Sequence, residues 1–220
     1  MSQVVKNIIA AVIASFMLLP LAGCSGESEI AELQSGASRE SAYPETYDLN
    51  KPVYKVVEMP TPNVGDGINE VRGIVLHHTA EPTAASALDK LTAAGSGVSA
   101  HVLIDTDGTR YILAEPTAVT WHAGKSRLNG RENANNFTVG IEFQGNTVES
   151  PLTDAQIAGA VEYIRPLIKA YDIPLKNIVT HEFIRTEYKR AHPDSTVPDK
   201  VDVQQPERDR LIEALSQSDE

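Results

Sequence analysis

The sequence predicts an α/β fold: a single domain with a central mixed β-sheet flanked by helices. Three observations carry this expectation. Short apolar runs with a β-branched bias recur along the chain, helical stretches separate them, and a tight turn at Asp105-Thr106-Asp107-Gly108 joins two runs into a hairpin. The hairpin makes the sheet mixed rather than purely parallel. At 220 residues the chain has room for one domain with a sizeable core.

Each element has a local reason. Arg72 to His77 holds the continuous run Ile74-Val75-Leu76 and reads as a buried strand. Thr83 to Ala94 is alanine-rich and helical, stopping before Gly95-Ser96-Gly97. Ala100 to Ile104 and Thr109 to Leu113 form the hairpin strands. Val119 to Trp121 and Val139 to Phe143 are further strands, separated by a polar loop from Lys125 to Asn136. Thr153-Asp154-Ala155-Gln156 has the form of a capping box and opens a helix with the stripe Ile157, Val161, Ile164, Ile168 and Tyr171. Pro166 is expected to kink or split that helix. Ile178 to Thr180 is a short strand, and Glu207 to Leu215 a C-terminal helix.

The N-terminus has a different character. Ile8 to Leu21 is apolar apart from Ser15 and follows Lys6, as in a secretory signal, and is too short to favour a stable membrane span. Leu21-Ala22-Gly23-Cys24 resembles the bacterial lipobox, whose cysteine is lipidated and becomes the first mature residue. Cys24 is the only cysteine, so no intrachain disulfide is possible. Residues 1–23 are therefore expected to be a leader, 24–45 a Ser-, Gly- and Glu-rich tether, and 46–220 the domain. Pro44, Pro52, Pro60 and Pro62 suggest extended, irregular chain at the domain edge. The expected location is exported and lipid-anchored at Cys24, facing the periplasm from the outer membrane if the host is Gram-negative. With 19 basic against 30 acidic residues, a nucleic-acid partner is not expected. A monomer is.

With one cysteine and six histidines, a transition-metal site would have to use histidine and carboxylate, and zinc would suit three such ligands. His77, His181 and His192 lie near predicted strand ends. Glu142, in "VGIEFQG", alternates with Ile141 and Phe143, so it faces either solvent or a cleft.

The order of "IVLHHTA", "VSAHVLIDTDGTRYILAEPTAVTWHAG", "NNFTVGIEFQGN", "IVTHEFIR" and "KRAHPD" resembles the zinc-dependent N-acetylmuramoyl-L-alanine amidases of the type 2 amidase family, over about residues 70–195. The resemblance implies hydrolysis of the amide between N-acetylmuramic acid and L-alanine in peptidoglycan or muropeptides. It matches His77 and His181 to two zinc ligands and leaves His78 a bystander on the opposite face of its strand. The family's third ligand is an aspartate or cysteine before proline, with a lysine two residues earlier. Aligned on Pro193, that segment reads Arg190-Ala191-His192-Pro193, which makes His192 the ligand and Arg190 the catalytic cation, with Asp194 and Lys189 as alternatives. Glu142 matches the catalytic carboxylate of bacterial members. Phage members place a tyrosine before the position of His101, where this chain has Ala100. Trp121 and His122 match the substrate-binding cleft wall, and His101 reads as structural. Members lacking the metal site bind the same polymer without cutting it, so a non-catalytic binding module is the rival reading.

Overall fold

The computed structural model describes residues 54–217. The leader, Cys24, the tether and the first residues of the expected domain lie outside them. The strands are β1 (Val56–Glu58), β2 (Val64–Gly65), β3 (Gly73–His78), β4 (Val102–Ile104), β5 (Arg110–Ile112), β6 (Val119–Thr120), β7 (Arg127–Leu128), β8 (Arg131–Glu132), β9 (Thr138–Phe143) and β10 (Ile178–Thr180). The helices are α1 (Ala84–Thr92), α2 (Asp154–Tyr171), α3 (His181–Ala191) and α4 (Gln205–Ser216).

Six strands form the central sheet in the order β1-β5-β4-β9-β3-β10. β4, β9, β3 and β10 run parallel, and the β4–β5 hairpin supplies the antiparallel pair. Its turn places Gly108 at φ +85°, a conformation that costs glycine nothing. The sheet is therefore mixed, as its sequence predicts. β6 pairs with β2 in a small separate sheet instead of joining the main one. The described part of the proline-rich edge, with Pro60 and Pro62, contributes β1 alongside β5. The polar loop contains the β7–β8 hairpin.

Alternation along β3 and β9 assigns the two faces. Ile74, Leu76, Val139, Ile141 and Phe143 turn toward α2 and α4, where the main core forms with Ile164 and Leu211. Val75 and Val179 face the opposite layer, packed on Ile184 of α3 and on Leu128 and Phe137. α1 covers Leu103 and Leu113. The Thr153 capping box is present, with the Thr153 side chain accepting from Gln156 N and the Gln156 side chain from Thr153 N. Pro166 does not split α2, which runs unbroken for 18 residues. One backbone bond lost at a proline is outweighed by Tyr163, Ile164 and Leu167, buried on either side of it. Phe143 has no solvent exposure. Phe143→Ala is expected to cost about 3–5 kcal/mol in a urea melt, with the denaturant slope unchanged.

Candidate metal centre

The site is built on one register line across the parallel strands. Glu142 of β9 pairs with His77 of β3 on one side and Leu103 of β4 on the other. β10 pairs Thr180 with Leu76, so His181, the first residue of α3, emerges level with His77. His77 and Glu142 share the face of Val75, away from α2 and α4. His78 points the other way, and its Nδ1 meets the Thr147 hydroxyl at 2.9 Å.

Three side-chain atoms converge there. His77 Nδ1 and His181 Nδ1 are 3.1 Å apart, and each lies 3.3 Å from Oδ2 of Asp202. All three residues are buried. Ligands on a tetrahedral zinc with arms of about 2.0–2.1 Å stand about 3.3 Å from one another, so this triangle matches one face of such a site. The other carboxylate oxygen of Asp202 is occupied: Oδ1 accepts from the backbone N–H groups of His78 and of Val203, the latter at 3.0 Å.

Hydrogen bonds behind the triangle set the tautomers. The Thr138 hydroxyl donates to Ala134 O at 2.7 Å, so both Thr138 oxygens can only accept from His122 Nε2, 3.4 Å from each. His122 therefore carries its proton on Nε2 and accepts at Nδ1 from His77 Nε2–H, 3.0 Å away. With Nε2–H committed to His122, His77 turns Nδ1 toward Asp202 and His181, and loss of the proton there gives the form a metal requires. His122 thus positions His77 from behind, and it also lines the cleft beside Trp121. Burial, reinforced by the His77 and His101 charges, keeps the His122 pKa well below its ordinary value.

A glycine makes room for this ring. A Cβ on Gly140 would fall 2.5 Å from His122 Cγ. Gly140→Ala is expected to displace His122 and weaken zinc binding about 10- to 100-fold, the cost of losing an outer partner of a ligand. Competition with a chromogenic chelator measures it. His101 lies deeper, with no exposure. It accepts at Nδ1 from Gly140 N at 2.9 Å and donates from Nε2 to Ala118 O at 3.1 Å, and burial pushes its pKa down to about 4.

The cluster is electrostatically uneven. Burial opposes charge on Asp202, but hydrogen bonds from His181 and His77 hold its carboxyl well below the usual range. Burial also lowers the His77 pKa, and the Asp202 carboxylate more than restores it. His181 is pushed down to about 4, chiefly by burial. A metal would therefore displace a proton held between His77 and Asp202. Burial pushes Glu142 up to about 7, with His77 pulling down and Asp202 pushing up. Its Oε2 is buried and has no hydrogen-bond partner.

His77, His181 and Glu142 line a cleft of about 320 Å³, together with Trp121, Arg185 and Lys200. Trp121 is 37% exposed. A neighbouring hollow of about 460 Å³, bordered by Lys125, Glu132 and Tyr188, shares Gly124 and Asn135 with it.

The structure does not bring His192 to this cluster. It lies eleven positions after His181, past the far end of α3, a rise of about 16 Å. His192 instead meets Glu132 at 2.5 Å and stacks on Tyr188 at the surface. Arg190 is exposed and pairs with Glu187 at 2.6 Å, Lys189 pairs with Asp199, and Asp194 is exposed. The third donor is Asp202, and the cation beside it is Lys200, whose Nζ lies 3.6 Å from Asp202 Oδ2. The signal that locates them is Lys200-Val201-Asp202, a Lys-x-Asp spacing followed by valine where the pattern asks for proline.

Residues 67–198 match the Amidase_2 family, described as N-acetylmuramoyl-L-alanine amidase. The chain belongs to that family. The family match stops short of Asp202, which the fold alone brings to the other two donors. The 1,6-anhydro-N-acetylmuramyl-L-alanine amidase AmpD of Haemophilus influenzae is 42% identical over 87 residues, 38% of this chain and 46% of that protein. The enzyme of the same name from Enterobacter cloacae is 40% identical over 94 residues, 42% of this chain and 49% of the other. The chain thus spans about half the length of the curated relatives it matches. The selenomethionine derivative of AmpD shares the family fold with a TM-score of 0.55 at 24% identity, covering 73% of this chain and 95% of that one.

Proposed function

We propose that this member of the family is a zinc-dependent amidase that hydrolyses the bond between N-acetylmuramic acid and L-alanine in peptidoglycan or muropeptides. The observation that carries the proposal is the convergence of His77, His181 and Asp202 beside the unpartnered carboxylate of Glu142, in one cleft. The names of the curated relatives support muropeptides, in cell-wall turnover or recycling, as the substrate.

His77, His181 and Asp202 would hold the zinc. Zinc bound there supplies Lewis acidity, which polarises a carbonyl and lowers the pKa of water from 15.7 to about 7. Glu142 takes the proton of the attacking water on its free oxygen and delivers it to the departing alanine nitrogen. A pKa near 7 suits both halves of that transfer. Lys200 offers its ammonium to the developing oxyanion, a contribution of about 3 kcal/mol for one such donor. Trp121 gives the sugar or peptide an apolar wall.

Export and lipid anchoring at Cys24 are part of this proposal. They are supported by the leader pattern and the lone cysteine. The domain would then work as a tethered monomer against peptidoglycan.

The test is digestion of purified muropeptides by the zinc-loaded protein, followed by mass spectrometry. Free peptides beginning at L-alanine, lost on adding a chelator, are expected. Intact muropeptides after prolonged incubation would leave a binding module instead.

A further inference from the structure

One guanidinium reaches the cleft without a counter-charge. Arg185 lies on α3 four residues after His181, and its side chain lines the cleft. Nη1 donates to Pro198 O at 3.2 Å, Nη2 sits 3.4 Å from His181 Nε2, and Nε is buried with no partner. Arg110, Arg131, Arg190, Arg208 and Arg210 each face a carboxylate, whereas no described carboxylate forms an ion pair with Arg185. Burial accordingly lowers its pKa. An arginine keeps its charge under such pressure, and a charge taken from water calls for an anion.

The wall beside it is cut back to backbone. Gly124 holds φ +52°, and a Cβ there would come within 3.3 Å of Arg185 Nη2. The neighbouring cation, Lys200, already has Asp202 at 3.6 Å. Arg185 is therefore the cleft cation that no described carboxylate pairs with.

We propose that Arg185 forms a carboxylate-binding subsite, which recognises a free carboxylate on the peptide side of the substrate, close to the scissile amide. A planar guanidinium with spare Nη–H groups binds a carboxylate through charge-assisted hydrogen bonds. Only the His181 ring separates this guanidinium from the three-donor triangle. A carboxylate held there belongs to one of the first two residues beyond the bond that is cut. The subsite rests on the amidase reading for the identity of its ligand, but its charge preference can be measured without turnover.

The probes are N-acetylmuramoyl-L-alanyl-glycine and its C-terminal amide, which differ only in carboxylate against carboxamide. Calorimetry on the zinc-loaded Glu142→Gln protein reads binding, and hydrolysis by the unsubstituted chain reads turnover. The acid is expected to bind about 10- to 100-fold more tightly than the amide, the range of a charge-assisted pair. Adding Arg185→Met should bring that ratio close to one, and Arg185→Lys should keep part of it. Zinc content measured alongside separates loss of the subsite from collapse of the metal centre. No discrimination by the parent protein, or a ratio that survives Arg185→Met, overturns the proposal. The latter is the outcome if Arg185 merely props the chain at Pro198. If neither peptide is cut but the binding ratio still collapses with Arg185→Met, the subsite stands and the amidase reading falls.

Discussion

Replacing Glu142 with glutamine is expected to lower the turnover of muropeptides about 10³-fold or more while zinc remains bound. Glutamine keeps the shape of the side chain and its place in register with His77, so the donor triangle is left alone. What disappears is the proton acceptor, and positioned general bases contribute about 10²–10⁴-fold. The same substitution has a second, opposite effect. The folded-state pKa of Glu142, about 7, stands above its ordinary 4.5, because burial disfavours the charge. The fold therefore favours the protonated form. That stabilisation is whole below about pH 4.5 and is lost as the pH rises through 7. Glutamine never ionises, so the metal-free variant should melt higher than the parent at pH 8 and alongside it at pH 4. Activity within tenfold of the parent would remove Glu142 from the role of base.

Asp202→Ala should remove most of the bound zinc, and His192→Ala should leave it in place. Losing a ligand costs more than the 10- to 100-fold loss of affinity expected for an outer partner such as His122. Alanine also orphans the backbone N–H groups of His78 and Val203, at about 1–3 kcal/mol each, so the metal-free melt falls too. Asp202→Asn separates these effects: it can still accept at Oδ1, but it gives up the charge. Metal analysis of the three purified variants decides the matter. Zinc lost from His192→Ala and retained by Asp202→Ala would place the third ligand at His192 after all.

Much of this architecture is legible in the sequence, for reasons that differ between elements. β3, β9 and β10 are buried on both faces and announce themselves as apolar runs, and α2 shows its capping box. α3 does not: its only fully buried residues are His181 and Ile184, so no apolar stripe marks it. Overlooking that helix is what makes His192 look close to His181. Pro193 strengthens the error by offering a proline in the expected place. Residues 193–204 have no helix or strand, and nothing in their local pattern reveals that they fold back to deliver Asp202. The Lys200-Val201-Asp202 spacing is the one local sign, and it can be recognised only once the proline is discounted. His122 is legible as part of a cleft motif but not as the partner of His77, because that contact depends on a ring lying over Gly140.

The three donors are far apart along the chain: His77 and His181 are 104 positions from each other, and Asp202 follows after an intervening helix and an irregular strap. A cation bound to all three is therefore also a removable crosslink. It closes a loop of over a hundred residues and fastens the strap that leads into α4, and such closures gain stability from the entropy they deny the unfolded chain. Chelation should then do more than silence the chemistry. Val201 is 62% exposed next to Lys200, and trypsin should cut there readily in the metal-free protein and slowly in the loaded one. The ion that supports the chemistry would also protect the end of the chain from proteolysis.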